Sequence, residues 1–198
     1  GVMADFAPDE ADLDFLCGHD LVVTGIWGRM EHHLAEIRAR GVPVAFDFAT
    51  KIDETKVFDG GEEGGCAVPC GMTGELAETA RAITGALPWV NYAFFSSDRE
   101  DEELRILMKR IHASGPELVI ATRGRQGSIA YDGSRFTEYG IIPCEVVDTM
   151  GAGDSYIAGF LIALLEGREL TECMRCGAEN SSVTLQYAGA WEYGGPKG

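Results

Sequence analysis

A chain of 198 residues with 32 acidic and 16 basic side chains carries a net charge of −16 and a pI near 4.5. That charge repels phosphate backbones and anionic membrane surfaces, so nucleic acid and membrane are excluded as expected partners. Apolar and charged shares of 45% and 24% suit one globular domain over 1–198, and no apolar run approaches the roughly 20 residues of a membrane span.

Taken in order, the chain begins Gly1-Val2-Met3-Ala4-Asp5-Phe6, neither basic nor a secretory segment, which makes the cytoplasm the default compartment. Leu21 to Thr24 predicts a strand, Met30 to Arg40 a helix closed by Gly41, and Val42 to Asp47 the next strand. Asp59 to Gly65 reads as a Gly-rich surface loop. Glu75 to Ala86 is helical in pattern, with Thr73 as its N-cap, and Tyr92 to Phe95 is a strand. Glu102 to Ala113 places Leu104, Leu107, Met108 and Ile111 on one helical face, behind the acidic start Asp98 to Glu103. Leu118 to Thr122 lacks polar alternation and predicts a strand buried on both faces. Ser128 to Tyr131 and Arg135 to Tyr139, joined by Asp132-Gly133-Ser134, predict a hairpin. Tyr156 to Leu165 is apolar all round and predicts an internal helix, and a last helix covers about Leu170 to Gln186. Strands alternating with helices give an α/β class with a mainly parallel sheet.

The strongest chemical signal is Asp148-Thr149-Met150-Gly151-Ala152-Gly153-Asp154, which follows the extended-looking Glu145-Val146-Val147 and runs into the apolar helix. Small residues at 151–153 leave backbone amides open, and a helix starting there adds roughly half a positive charge, so an anion fits beyond its N-terminus. Asp154 then stands as a carboxylate beside an anion hole, suited to taking a proton while the amides hold a phosphoryl group. The plainer alternative is an acidic first turn on a helix whose glycines ease packing. A second segment, Thr122-Arg123-Gly124-Arg125-Gln126-Gly127, leaves a buried strand at the end where open parallel sheets bind ligands, although an ordinary turn before the hairpin reads the same.

Six cysteines stand at 17, 66, 70, 144, 173 and 176. Cys66-x3-Cys70 and Cys173-x2-Cys176 have metal-ligand spacing, but nothing pairs them, and reduced, mostly buried thiols are the expectation. His32 and His33 are expected to face solvent from a helix, Trp27 and Trp191 to pack, and Asn180 to be a satisfied polar group within the last helix.

Together the 122–127 and 148–154 segments resemble the nucleotide half of the ribokinase (PfkB) sugar kinases. Ile26-Trp27-Gly28, Ala45-Phe46-Asp47-Phe48, Gly127 to Gly133, Val147 to Leu165 and Gln186 to Trp191, with the first six residues, are similar to the fructoselysine 6-kinase branch of that family. The resemblance implies a ribokinase-like, doubly wound fold with helices on both faces of the sheet. It also implies ATP-dependent phosphorylation of a sugar hydroxyl, on fructoselysine or a related Amadori sugar amine at the 6-position. Asp154 would be the catalytic base, Gly151, Ala152 and Gly153 the anion hole, and Thr122, Gly124 and Gly127 the lining of the nucleotide site. Asp148 would border a monovalent-cation site or simply cap a turn; ATP and Mg²⁺, with K⁺ as an activator, are the implied cofactors, and a homodimer is compatible.

The chain also departs from that pattern. Where the family places Asn-x-x-Glu to organise Mg²⁺, Ser96-Ser97-Asp98-Arg99-Glu100 offers only Asp98 or Glu100. Met150 replaces a small or hydroxyl residue, and the Gly-rich stretch at 59–71 is longer than the branch has. The family's N-terminal strands, Gly-Gly sugar turn and β lid are absent from the chain, which leaves the Ile26-Trp27-Gly28 region to touch a sugar. Two alternatives therefore stay open: a pfkB-type kinase for a fructose- or ribose-like sugar, and a catalytically silent nucleotide-binding fragment.

Overall fold

The computed structural model describes residues 8–55, 57, 72–99 and 101–190. The first six residues, Cys66, Cys70, Glu100, Trp191 and the Gly-rich stretch at 59–71 lie outside them. The elements in chain order are α1 (Glu10–Cys17), β1 (Val22–Gly25), α2 (Leu34–Ala39), β2 (Val44–Asp47), α3 (Lys51–Glu54), α4 (Glu75–Ala86), β3 (Tyr92–Ser96), α5 (Asp101–Ala113), β4 (Leu118–Thr122), β5 (Ser128–Tyr131), β6 (Phe136–Tyr139), α6 (Ala152–Leu165) and α7 (Leu170–Thr184). Six strands hydrogen-bond in sequence order in one sheet. The pairs β1–β2 and β2–β3 are parallel, with Val22 opposite Val44 and Phe46 opposite Ala93. A helix between each of these pairs supplies the crossover that parallel neighbours require. The result is the mixed α/β architecture expected of the strand–helix alternation.

The described residues fall into two compact units, those within 1–121 together with 130–136, and those within 122–129 together with 137–198. In the first, β2, β3 and β4 are apolar on both faces, and Phe46, Phe94, Val119 and Ile120 are almost wholly buried with Leu34 and Ile37 of α2, Ile83 of α4, and Leu104, Met108 and Ile111 of α5. The periodicity that predicts α5 selects the four residues it buries. In the second, Tyr156, Phe160 and Leu161 of α6 and Cys173, Met174 and Ala178 of α7 are buried.

Several local expectations need correction. Helix α1 has no forecast, yet Asp9 caps it by accepting the N–H groups of Ala11 and Asp12 while Asp12 accepts that of Asp9. Helix α2 begins at Leu34 because residues 31–33 turn, which puts exposed His32 in that turn. Gly74 at φ +71° occupies the N-cap of α4 in place of Thr73. Helix α6 is not internal all round, since Ile162 and Leu165 are 60% and 55% exposed. Among the described residues no helix is long and apolar enough to cross a membrane.

The β5–β6 turn is clasped by one carboxylate. Oδ1 of Asp132 accepts the Ser134 N–H at 2.8 Å, its hydroxyl at 2.7 Å and the Arg135 N–H at 2.8 Å. The Arg135 N–H, then the Ser134 hydroxyl, pull this carboxyl from its ordinary 3.8 to about 2. A depressed folded value means that the contribution is present above the unfolded value and disappears as pH falls from about 4 towards about 2. Asp132→Asn is expected to be less stable than the parent at neutral pH, with the difference closing across that window in urea titrations repeated at each pH.

Candidate active site

The loop before α6 is held by its own backbone. Val147 lies in no strand; its N–H donates to Leu185 O at the end of α7 at 2.8 Å. Asp148 ties the next turn, with Oδ1 accepting the Met150 N–H at 3.1 Å and Oδ2 the Gly189 N–H at 2.9 Å. These donors, Gly189 first, hold its carboxyl below the ordinary range. Of the two readings open for Asp148, turn capping is therefore directly visible.

Gly151 then takes φ +77° as the N-cap of α6. A Cβ there would stand 2.8 Å from both Cα and Cβ of Ala190, so a left-handed backbone and a close neighbour together require glycine. A Cβ on Gly153 would meet nothing within 4 Å. The N–H of Ala152 donates to Thr149 O at 3.3 Å, and that of Ser155 to Gly151 O at 2.9 Å. The N–H groups of Gly151, Gly153 and Asp154 find no acceptor among the described residues, so the open amides are these three, with Ala152 partly committed. Asp154 is exposed, and no described residue hydrogen-bonds or pairs with its carboxylate.

Helix α7 fixes the orientation of this turn. Asn180 Nδ2 donates to Ser155 O at 2.7 Å, which makes Asn180 the satisfied polar group expected of it, and the Ser155 and Thr184 hydroxyls share a 2.6 Å bond. Gly159 and Gly177 let the helices close: a Cβ on Gly159 would reach Cys176 O at 2.6 Å, and one on Gly177 would reach Tyr156 O at 2.9 Å. Tyr156 donates to the buried Ser128 Oγ at 2.8 Å, and burial pushes its phenol well above the ordinary range. That bond links α6 to the residue that follows Gly127.

The 122–127 segment is a closed turn. Thr122 ends β4, the Arg123 N–H donates to Gly127 O at 2.8 Å, and residues 124–126 form one 3₁₀ turn. Arg123, its side chain nearly buried, pairs with Glu138 at 3.0 Å. Gly124 at φ +53° has open space where a Cβ would stand, whereas Gly127 at φ +83° would place one 2.1 Å from Tyr139 O. Both segments lie in the second compact unit.

In the other unit, the expected packing of Trp27 is not seen; it is 65% exposed, with Lys51 Nζ 5.6 Å from the ring centre. Ser97 donates to Asp53 Oδ2 at 2.7 Å, and Arg99 pairs with the same carboxylate. Asp53 thus organises the segment read for Mg²⁺, a role no sequence motif announces, while Asp98 is exposed.

Comparison with known proteins adds independent findings. Residues 79–193 match the model of the pfkB family carbohydrate kinase. The chain is 40% identical over 191 residues to fructoselysine 6-kinase of Shigella flexneri, covering 96% of this chain and 63% of that protein. It is 35% identical over 188 residues to fructosamine kinase FrlD of Bacillus subtilis (strain 168), covering 94% and 57%. It therefore spans about three fifths of these relatives' length. Among solved structures, the Arabidopsis thaliana ribokinase complexed with ribose and ATP superposes with a TM-score of 0.70 at 22% identity, over 92% of this chain and 55% of that one. The adenosine kinase from Sinorhizobium meliloti gives 0.70 at 18%, over 95% and 55%. Both likenesses are of fold.

Proposed function

Since the chain belongs to the pfkB family of carbohydrate kinases, we propose that the protein it represents transfers the terminal phosphoryl group of ATP to a sugar hydroxyl. The substrate is fructoselysine or a related Amadori sugar amine, phosphorylated at the 6-position. One observation carries the chemistry: three N–H groups without an acceptor among the described residues, at Gly151, Gly153 and Asp154, beside a carboxylate that none of those residues engages.

Phosphoryl transfer asks a protein mainly for positioning and charge stabilisation. In this reading the Gly151 and Gly153 amides, with Ala152 as a weaker third, hold charge on the transferring group, and Asp154 takes the proton of the attacking hydroxyl. Thr122, Gly124 and Gly127 line the nucleotide site; Gly124 is the member whose surroundings leave room for a ligand. Mg²⁺ supplies charge neutralisation between the phosphates when bound. Asp148 retains lone pairs beyond those that accept the Met150 and Gly189 N–H groups, which supports a monovalent cation beside the cradle, and K⁺ stimulation belongs to the proposal. Fructoselysine is favoured over other sugars by identities of 40% and 39% to two fructoselysine 6-kinases across nearly the whole chain.

The test is an ATP-dependent phosphorylation assay on fructoselysine, fructose, ribose and a no-sugar control, with the product's phosphate located by NMR. Turnover confined to the fructosamine and a phosphate on its 6-position is the expected result. Preference for ribose or fructose would assign a different sugar, and nucleotide binding without turnover on any sugar would make the chain a silent binding module.

A further inference from the structure

The cysteine pair in α7 has no part in this chemistry, yet one sulfur borders a cavity beside two guanidinium groups and the other is sheltered one turn away. Cys176 borders a cavity of about 350 Å³ between α6 and α7, lined also by Gly159, Ile162, Arg168, Glu179 and Asn180. Arg168 Nη1 reaches the Cys176 sulfur at 3.4 Å and Arg175 Nη2 reaches it at 3.8 Å, while both guanidinium groups also pair with Glu166, Glu172 or Glu179. Cys173 stands one turn earlier, buried, with its thiol donating to Arg168 O at 3.5 Å. Burial, followed by the neighbouring Cys176, pushes the Cys173 thiol up. One sulfur is therefore open to a small oxidant, with cationic groups to meet charge developing on it, and the second is sheltered on the same helical face.

We propose that Cys173 and Cys176 close a reversible intrahelical disulfide when the protein meets a hydroperoxide, with Cys176 oxidised first. The Cys176 thiolate attacks the peroxide, the O–O bond breaks, and the released hydroxide takes up a proton, leaving a sulfenic acid. The Cys173 thiol then loses its proton as its sulfur attacks Cys176; the S–O bond breaks and a second water leaves. Two thiols and one hydrogen peroxide thus give one disulfide and two waters.

Helix positions three apart hold their Cβ atoms roughly 5–6 Å from each other. A disulfide needs roughly 3.5–4.5 Å, so bridging must tighten this turn of α7. That turn has little slack on its α6 side: Cys176 O would stand only 2.6 Å from a Cβ at Gly159, and one at Gly177 would meet the Tyr156 ring at 3.0 Å. Tyr156 is two residues past Asp154 and bonded to Ser128, next to Gly127. Bridging therefore strains both segments of the candidate site together, and for a kinase it is an off switch; only this last consequence rests on the proposed function.

The closing experiment treats the chain with one equivalent of hydrogen peroxide, alkylates free thiols under denaturing conditions, and digests with trypsin. Cleavage after Arg168, Arg175 and Lys197 separates the two cysteines into peptides 169–175 and 176–197. The expected product is those two peptides joined by a disulfide, lost on adding dithiothreitol, and replaced in Cys173→Ser by a dimedone adduct on Cys176. Sugar phosphorylation falls as the bridge forms and returns with reductant. Both peptides recovered alkylated while Cys17 or Cys144 is oxidised would overturn the site. A bridge that forms without altering turnover or the thermal midpoint would overturn the switch, and a bridge with a shifted midpoint in a chain lacking turnover would uphold the site while removing the kinase reading.

Discussion

Replacing Asp154 with Asn is expected to lower sugar phosphorylation by on the order of 10²–10⁴ while ATP affinity and the folded state are retained. The competing explanation, an acidic residue that merely suits a helix N-terminus, makes a different forecast. An exposed first-turn carboxylate stabilises its helix by about 0.3–1 kcal/mol, whereas the loss expected of a general base is about 3–5.5 kcal/mol of transition-state stabilisation. The carboxylate has no partner among the described residues, so the isosteric amide disturbs no bond seen there. Single-turnover assays with saturating ATP, beside thermal unfolding and nucleotide titration, separate the two. Turnover within a few-fold of the parent would remove Asp154 from the reaction, and a drop that tracks lost stability would assign it to the helix alone.

The fold was most legible where one strong pattern acted alone. Strand β4 is an unbroken apolar run and occurs where that run predicts it, from Leu118 to Thr122. Helices α4 and α5 follow from periodic apolar faces. Boundaries set by single caps were harder to read. Asp9 and Asp12 close a capping box with two aspartates in place of the usual hydroxyl and glutamate, and Gly74, at positive φ, takes the cap that the sequence assigns to Thr73. Exposure was hardest, because it depends on residues distant in sequence. Nothing in the apolar run from Tyr156 to Leu165 tells that Ile162 faces outward, and nothing around the isolated Trp27, expected to pack, tells that it stands open.

The candidate site divides along the same line. That small residues stand at 151–153 and glycines at 124 and 127 is written in the sequence; that Gly151 and Gly127 need positive φ and have backbone close by is not. The neighbour of Gly151 is Ala190, 39 positions on, and only coordinates reveal that Ala152 spends part of its N–H on Thr149 while Gly153 stays open. Asp148 illustrates a third case, in which a motif residue with a proposed ligand role also ties two backbone segments together. Motif conservation in a family would not by itself separate those roles, since both would be retained for different reasons.

Gly127→Ala is expected to destabilise the chain by about 2–6 kcal/mol, more than Gly124→Ala, although both glycines belong to one turn and both are read as lining the nucleotide site. At Gly127 the backbone sits at φ +83° and ψ −130°, a region in which a side chain costs about 1–3 kcal/mol. The added methyl would stand 2.1 Å from Tyr139 O and 2.8 Å from Cα of Gly140, backbone atoms that no side-chain rotation can clear. Making room means parting the end of β6 from the turn, an overpacking cost of about 1–3 kcal/mol more. At Gly124, φ +53° lies in the ordinary left-handed region and nothing stands within 4 Å, so only about 1–2 kcal/mol of backbone strain applies. Urea midpoints at unchanged m-value measure both losses. ATP titrations then part the roles, because a methyl at 124 enters space a nucleotide would use while one at 127 enters protein. Equal urea midpoints for the two variants would mean that the close approach of Tyr139 does not exist in solution.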